Sequence, residues 1–254
     1  MSRHLRNILS LDDFERAAQR HLPGPVYAYV SGAVEDNASF RDNRAAFEEL
    51  GFLPRVLVDV SKGSTKATLF GTEYAAPFGV APMGISALSA YRGDLVQARA
   101  ARKAGIPMIM SGSSLIRLED VCTECPDTWF QAYLPGEHER IRKLIERVER
   151  AGFRTLVITV DTAVLSNREN NIRAGFSTPL RPSLRLAWEG ITHPRWTFGS
   201  FLRTIAQHGM PHFENSYAER GAPILARNVE RDFSQRDHLN WEHLRRIREQ
   251  WKGR

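Results

Sequence analysis

Between residues 78 and 161 one pattern recurs: a short, almost unbroken apolar run, an amphipathic stretch, then the next apolar run. The runs are FGVAP (78–82), PMIMS (107–111), WFQAYL (129–134) and TLVITVD (155–161). The intervening segments carry a helical period. Leu95, Ala98 and Ala101 share one face of residues 93–104, RLEDVCTE (117–124) reads as a short helix, and EHERIRKLIERVERAG (137–152) as a long one stopped by Gly152. Strands apolar on both faces, alternating with helices at this spacing, are parallel βα units whose sheet is covered on both sides.

The flanking sequence adds smaller pieces. Residues 10–33 read as helix, capped by Ser10 or Asp12 and interrupted at Pro23 and Pro25, after which VYAYVSGAVED (26–36) gives a second short helix. Residues 37–50 give a third, and TKATLFGTEYAAP (65–77) gives two short strands around Gly71. After Phe176 the rhythm stops. Residues 177–238 are rich in Pro, Arg, Trp and His, without clean periodicity, and a stretch of that length is either a functional excursion or partly disordered. NWEHLRRIREQW (240–251) is a closing helix that completes a fourth unit. The expected division is 1–75 (helices and hairpin), 76–176 (four barrel strands), 177–238 (excursion) and 239–254 (the closing helix). The fold class is α/β, with about four units of a (β/α)8 barrel, or half of one.

A hydrophobic content of 42% over 254 residues supports a sizeable core. The net charge of +6 is scattered, with no basic stripe interleaved with aromatics, so nucleic acid is not an expected partner. A mildly basic surface suits anionic small molecules or an anionic membrane. No run of about 18 apolar residues is present to span a bilayer. Cys122 and Cys125 form a C-x-x-C late in a short helix, the wrong place for a redox pair, and read as two reduced thiols of a cytoplasmic protein. His208 and His212 have the spacing of helical metal ligands, but Gly209 and Pro211 argue against the helix, so no metal is expected. Residues 177–207 carry Arg181, Arg185, Arg195 and Arg203 against one acid, Glu189, interleaved with Trp188, Trp196, Phe198, Phe201 and Leu202. That composition suits an interfacial membrane segment, a lid or a subunit contact. The compartment that follows is the cytoplasm or the inner face of its membrane.

Barrels of this kind keep their chemistry at the C-terminal ends of the strands. Those ends read Ala81–Gly84, Ser111–Ser114, Gln131 with Tyr133, and Thr159 with Asp161, followed by Arg168. They offer hydrogen-bonding groups, and neither a metal set nor a Ser/His/Asp triad.

Several long motifs, in order, resemble the FMN-dependent α-hydroxy-acid oxidases and dehydrogenases of the L-lactate dehydrogenase, mandelate dehydrogenase and glycolate oxidase type. They are LPGPVYAYVSGAVED, DNRAAF, FLPRVLVDVS, GVAPMG, WFQAYL, AGFRTLVITVDT and NREN, with THPRW and NWEHLRRIREQW resembling the lactate and mandelate branch. The resemblance implies an FMN cofactor and hydride transfer from a small L-2-hydroxy acid to flavin N5, giving the 2-oxo acid. It implies flavin contacts from the Ala81, Pro82 and Met83 backbone and from Ser111, Gln131 and Thr159. Arg168 and Tyr29 would hold the substrate carboxylate, where a guanidinium fork suits the two oxygens. Tyr133 would lie near the substrate hydroxyl, and Asp161 would orient the site. The family's general-base histidine, its lysine beside flavin N1, its second arginine and its phosphate loops match no residue here. Lys252 precedes the lysine's strand, and none of the eight histidines falls in the matching motif. The 254 residues are therefore expected to be inactive alone. The alternative is a non-catalytic half-barrel that binds flavin weakly or joins a partner. A full-length relative would be expected to form homo-oligomers. The electron acceptor, whether oxygen, quinone or cytochrome, is not legible.

Overall fold

The structure is a computed structural model that describes residues 6–163, 166–176, 183–225 and 236–254. Three helices open the chain: α1 (Leu11–His21), α2 (Gly24–Ser31) and α3 (Ala38–Glu48). The Ser10 amide donates to the Asp13 carboxylate at 2.9 Å, which closes the first turn of α1, and Pro25 sits in the first turn of α2, where its missing N–H costs nothing. The hairpin around Gly71 pairs β1 (Ala67–Leu69) with β2 (Thr72–Tyr74).

The parallel sheet runs in the order β3 (Ile109–Ser111), β4 (Trp129–Tyr133), β5 (Leu156–Thr159). Its register sets Ser111 opposite Gln131 and Tyr133 opposite Thr159. Helices α5 (Gly93–Ala104), α6 (Leu118–Glu124) and α7 (His138–Arg150) connect and cover the strands, and a short α4 (Ser86–Ser89) precedes them. The run at 78–82, expected as a full strand, is reduced to one parallel bridge between Val80 and Met108. Val80 spends its N–H on Pro107 and its carbonyl on Ile109, while Phe78 and Ala81 on either side are exposed. At the opposite flank Arg254 lies beside β5: its N–H donates to Arg154, and its carbonyl accepts from Leu156 at 2.9 Å. The parallel ladder thus begins to continue beyond β5, as an arc of a (β/α)8 barrel requires.

Phe130, Met110, Leu118, Leu144, Ile145 and Val148 form the fully buried centre. Ile141, Leu144, Ile145 and Val148 recur at helical spacing on α7, whose outer face carries Arg142 paired with Glu139 and Glu146. Cys122 and Cys125 are free and buried, and burial raises both thiols above their ordinary values. A strip of apolar side chains from Phe47 to Val60 is exposed to solvent, Phe52 and Leu57 fully so.

The excursion departs most from expectation. Its described part is helical up to His208 and irregular from 209 to 225: α8 (Glu169–Ala174) precedes it, and α9 (Leu184–Thr192), the turn α10 (Pro194–Trp196), a π-helical turn (Thr197–Leu202) and α11 (Arg203–His208) form its helical part. Its period is hidden because the helices bury few residues and the π turn breaks the 3.6-residue repeat. Anchoring is local. The Trp196 indole donates to the Leu88 carbonyl at 2.6 Å, and Glu189 accepts from the Gly24 amide at 2.7 Å. Leu184, Trp188, Ile191 and Phe198 remain exposed, and Arg181 lies outside the described residues. No described helix is long and apolar enough to cross a membrane.

Helix α12 (Trp241–Gln250) closes the chain against α7. His138 on α7 and His243 on α12 stack with ring centroids 4.5 Å apart, and His238 meets His243 edge-on at 5.7 Å. Burial, then His138, His238 and Arg246, hold His243 below its ordinary value. The unfolded chain therefore binds the proton more readily, and stability rises with pH through the window below the ordinary value of 6.5. Melting temperatures should fall between pH 7.5 and pH 5, and His243→Gln should flatten that slope. Leu144→Ala should cost about 2–5 kcal/mol in urea denaturation, since a fully buried leucine leaves both lost burial and a cavity.

Candidate active site at the strand ends

The register of the sheet converts three separate side chains into one hydrogen-bonded row. Gln131, buried at the centre of β4, has neighbours on both sides. Its carbonyl accepts from the Ser111 hydroxyl at 3.2 Å and from the Gly112 amide at 3.3 Å. Its amide donates to Thr159 Oγ1 at 2.8 Å. Ser111 Oγ in turn accepts from the Ser113 amide at 3.1 Å. A Cβ at Gly112 would stand 2.8 Å from the Gln131 carbonyl, so glycine lets the loop after β3 lie against β4. The result is a flat polar line across β3, β4 and β5, in which each group's donor or acceptor role is fixed by its neighbour.

Tyr29 and Arg168 come to this mouth on two packed helices. Asn170 on α8 donates to the Ala28 carbonyl of α2 at 3.2 Å, and Asn167 accepts from the Glu35 amide through its backbone carbonyl. Gly32 permits the approach, because a Cβ there would fall 1.5 Å from the Asn170 amide nitrogen. Tyr29 packs on Phe176 with centroids 4.6 Å apart and the rings tilted by 30°, and its hydroxyl lies toward Gly84. Arg168 stands at the N-terminal boundary of α8, exposed, with Nε donating to Ser166 at 3.3 Å. Glu169 accepts from the Glu35 amide at 3.2 Å.

Tyr133 ends β4 half-buried. Burial raises its phenol above the ordinary value, and the charge neighbours that bear on it are Tyr29, Arg236, Asp161 and Arg168. Asp161 is exposed beyond the end of β5, as are Ala81 and Pro82 beside the Val80 bridge, and Met83 is partly covered. The strand ends thus bring Ser111, Gln131, Thr159, Tyr133 and Tyr29 together, with Asp161 and Arg168 on the open rim. Among the described residues no group of three His, Cys, Asp or Glu side chains is arranged to hold a metal.

Two features escape a reading of the sequence. The Asn170–Ala28 tie lies inside the NREN motif, but its purpose needs the α2–α8 packing to be visible. Arg236 lies in the aperiodic excursion, yet its guanidinium sits 5.3 Å from the Tyr133 ring centroid. It lines a cavity of about 440 Å³ with Thr159, Thr162, Leu134 and Trp241.

Gln131→Leu should cost about 1–3 kcal/mol of stability by leaving Ser111 and Gly112 without their buried acceptor, measurable by urea denaturation.

A family model described as FMN-dependent dehydrogenase matches residues 18–254. (S)-mandelate dehydrogenase of Pseudomonas putida is 34% identical over 253 residues, covering 97% of this chain and 61% of that protein. L-lactate dehydrogenase of Pectobacterium atrosepticum is 33% identical, covering 95% of this chain and 62% of the relative. The chain thus spans about three-fifths of the length of these relatives. Among solved structures, one of "monotopic membrane protein (S)-mandelate dehydrogenase" superposes with a TM-score of 0.86 at 32% identity, over 98% of this chain and 65% of that one. A soluble mutant of the membrane-associated Pseudomonas putida enzyme gives a TM-score of 0.71 at 29% identity.

Proposed function

Because the chain belongs to the FMN-dependent dehydrogenase family, we propose that its strand-end mouth cradles FMN and serves the oxidation of a small L-2-hydroxy acid, lactate-like or mandelate-like, to the 2-oxo acid. The observation that carries this reading is the continuous row Ser111–Gln131–Thr159 across three strands, beside Tyr29 and Tyr133. A buried line of alternating donors and acceptors fits the polar edge of a flat heterocycle, and the segment Ala81–Met83, exposed at Ala81 and Pro82, follows the Val80 bridge. Bound flavin would supply the hydride acceptor.

The chain's own residues would do the rest. Arg168 would grip the substrate carboxylate through its fork, with Tyr29 donating to the same group. Tyr133, a phenol that is neutral at physiological pH and that burial makes still harder to ionise, would donate toward the substrate hydroxyl. Asp161 would set the local charge from the rim. The family's base, lysine and second arginine match none of these 254 residues, so the polypeptide alone would not turn over. A second reading, a non-catalytic half that joins a partner, is favoured by the open apolar strip at Phe47–Val60 and by Val160, 74% exposed beyond β5.

Leu184, Trp188, Ile191 and Phe198 are exposed on a segment that also carries the exposed Arg185, Arg195 and Arg203, a composition that supports peripheral contact with an anionic membrane at the cytoplasmic face. Flotation with vesicles rich in anionic lipid should carry the chain upward, and Trp188→Glu with Ile191→Glu should abolish it. Flotation unchanged by the double variant would remove this role.

With FMN, L-lactate or (S)-mandelate and a redox dye, the 254 residues should give no sustained dye reduction, and sustained turnover would overturn the inactivity. Fused to the remaining strands of (S)-mandelate dehydrogenase, they should give acid-dependent reduction. There Arg168→Ala should lower kcat/KM on the order of a hundredfold, the scale of losing one partner of a charge-assisted pair. An unchanged kcat/KM would exclude Arg168 as the carboxylate ligand.

A further inference from the structure

Arg236 is held at the mouth from outside the barrel units. It follows the excursion and precedes α12, and its guanidinium reaches back over β4 and the end of β5. The Cζ atom lies 5.3 Å from the Tyr133 ring centroid, within the range of a cation–π contact. Nη1 donates to Thr162 Oγ1 at 3.4 Å, three residues beyond the end of β5 at Thr159. The segment that carries it is fastened twice more: His238 Nε2 bonds the Gly136 carbonyl at 2.8 Å, and Asn240 caps α12 by accepting from the Glu242 amide at 2.9 Å. A planar cation over one ring face, with its other end on the adjacent strand terminus, restricts how the phenol can tilt.

We infer that Arg236 is a positioning residue for Tyr133: stacked on the ring and bonded to Thr162, it fixes the direction of the phenol across the strand-end mouth and makes residues 236–240 a closing element of the site.

The groups that face Tyr133 come from several elements: Tyr29 on α2, Asp161 and Arg168 after β5, and Arg236 after the excursion. Arg236 favours the phenolate, against burial, Tyr29 and Asp161, which oppose it. Removing the guanidinium should therefore make the phenol harder to ionise. It should also free the ring to tilt, which is the consequence for a hydroxyl that must meet a substrate. That consequence rests on the reading of the mouth as a 2-hydroxy-acid site, whereas the contact itself does not.

The experiment accordingly uses the flavin-free 254-residue chain without substrate, so that its failure is distinct from failure of the functional reading. The Arg236 side-chain Nε–H signal, assigned by its loss in Arg236→Lys, is recorded by NMR. A guanidinium over the ring feels its current, so the signal should keep its shift in Tyr133→Phe and lose it in Tyr133→Leu. Ultraviolet titration of the tyrosines, with Tyr133→Phe marking the Tyr133 component, should place that component at higher pH in Arg236→Gln and closer to wild type in Arg236→Lys. Circular dichroism of each variant checks that the fold is retained. An Arg236 signal indifferent to Tyr133→Leu, or a Tyr133 titration unmoved by Arg236→Gln in a folded chain, would overturn the inference.

Discussion

The Gln131 amide is the interaction on which the rest of the site depends. It is the middle of three strands' worth of polar groups, and it can bridge only because the register puts Ser111 opposite it and Thr159 opposite Tyr133 two residues on. A one-residue slip of any strand would turn these groups to the other face. Register in turn is held by the buried packing of Phe130, Met110 and the inner face of α7, so the core and the site are one constraint. Burial is what makes the row directional. An amide with both ends committed cannot rotate, and leaving one end unpaired costs more than the bond itself contributes.

The outer groups are placed by different means. Tyr29 and Arg168 reach the mouth through the α2–α8 contact, where Asn170 and the absence of a side chain at Gly32 set the approach. Arg236 arrives from the far end of the excursion. The mouth therefore draws on the opening helices, the sheet and the segment before α12, which lie far apart in the chain. Membership of the FMN-dependent dehydrogenase family accounts for the shared architecture. The row and the two tyrosines are the parts of that architecture whose chemistry can be followed atom by atom here.

Much of this was legible in the sequence, for physical reasons. Helices such as 93–104 and 138–150 show their period because one face is buried against a sheet, and the hairpin around Gly71 shows because a tight turn restricts its residues. WFQAYL reads as a strand because both of its faces are covered, and TLVITVD because its run is apolar, although β5 is only partly buried. The strand at 78–82 was overread: its apolar residues look like a strand, but only Val80 pairs, and Phe78 and Ala81 face solvent. The excursion was underread. Helices exposed on most faces carry no amphipathic stripe, and the π turn disrupts what period there is. The convergence of Ser111, Gln131 and Thr159 on one end of the sheet was readable from strand polarity alone. The hydrogen bonds between them, the Asn170 tie and the placement of Arg236 depend on register and long-range packing, which no local pattern encodes.

The proposed role of the Ser111–Gln131–Thr159 row is to cradle the flavin. The direct measurement is FMN fluorescence quenching, titrated with the 254-residue chain and with Thr159→Val, which keeps the side chain's shape and removes the acceptor of the Gln131 amide. Saturable quenching by the wild-type chain, with affinity lowered about tenfold in the variant, is the predicted result, the scale of one hydrogen bond left unmade. Equal FMN affinity in the two proteins, or no binding by either, would contradict it.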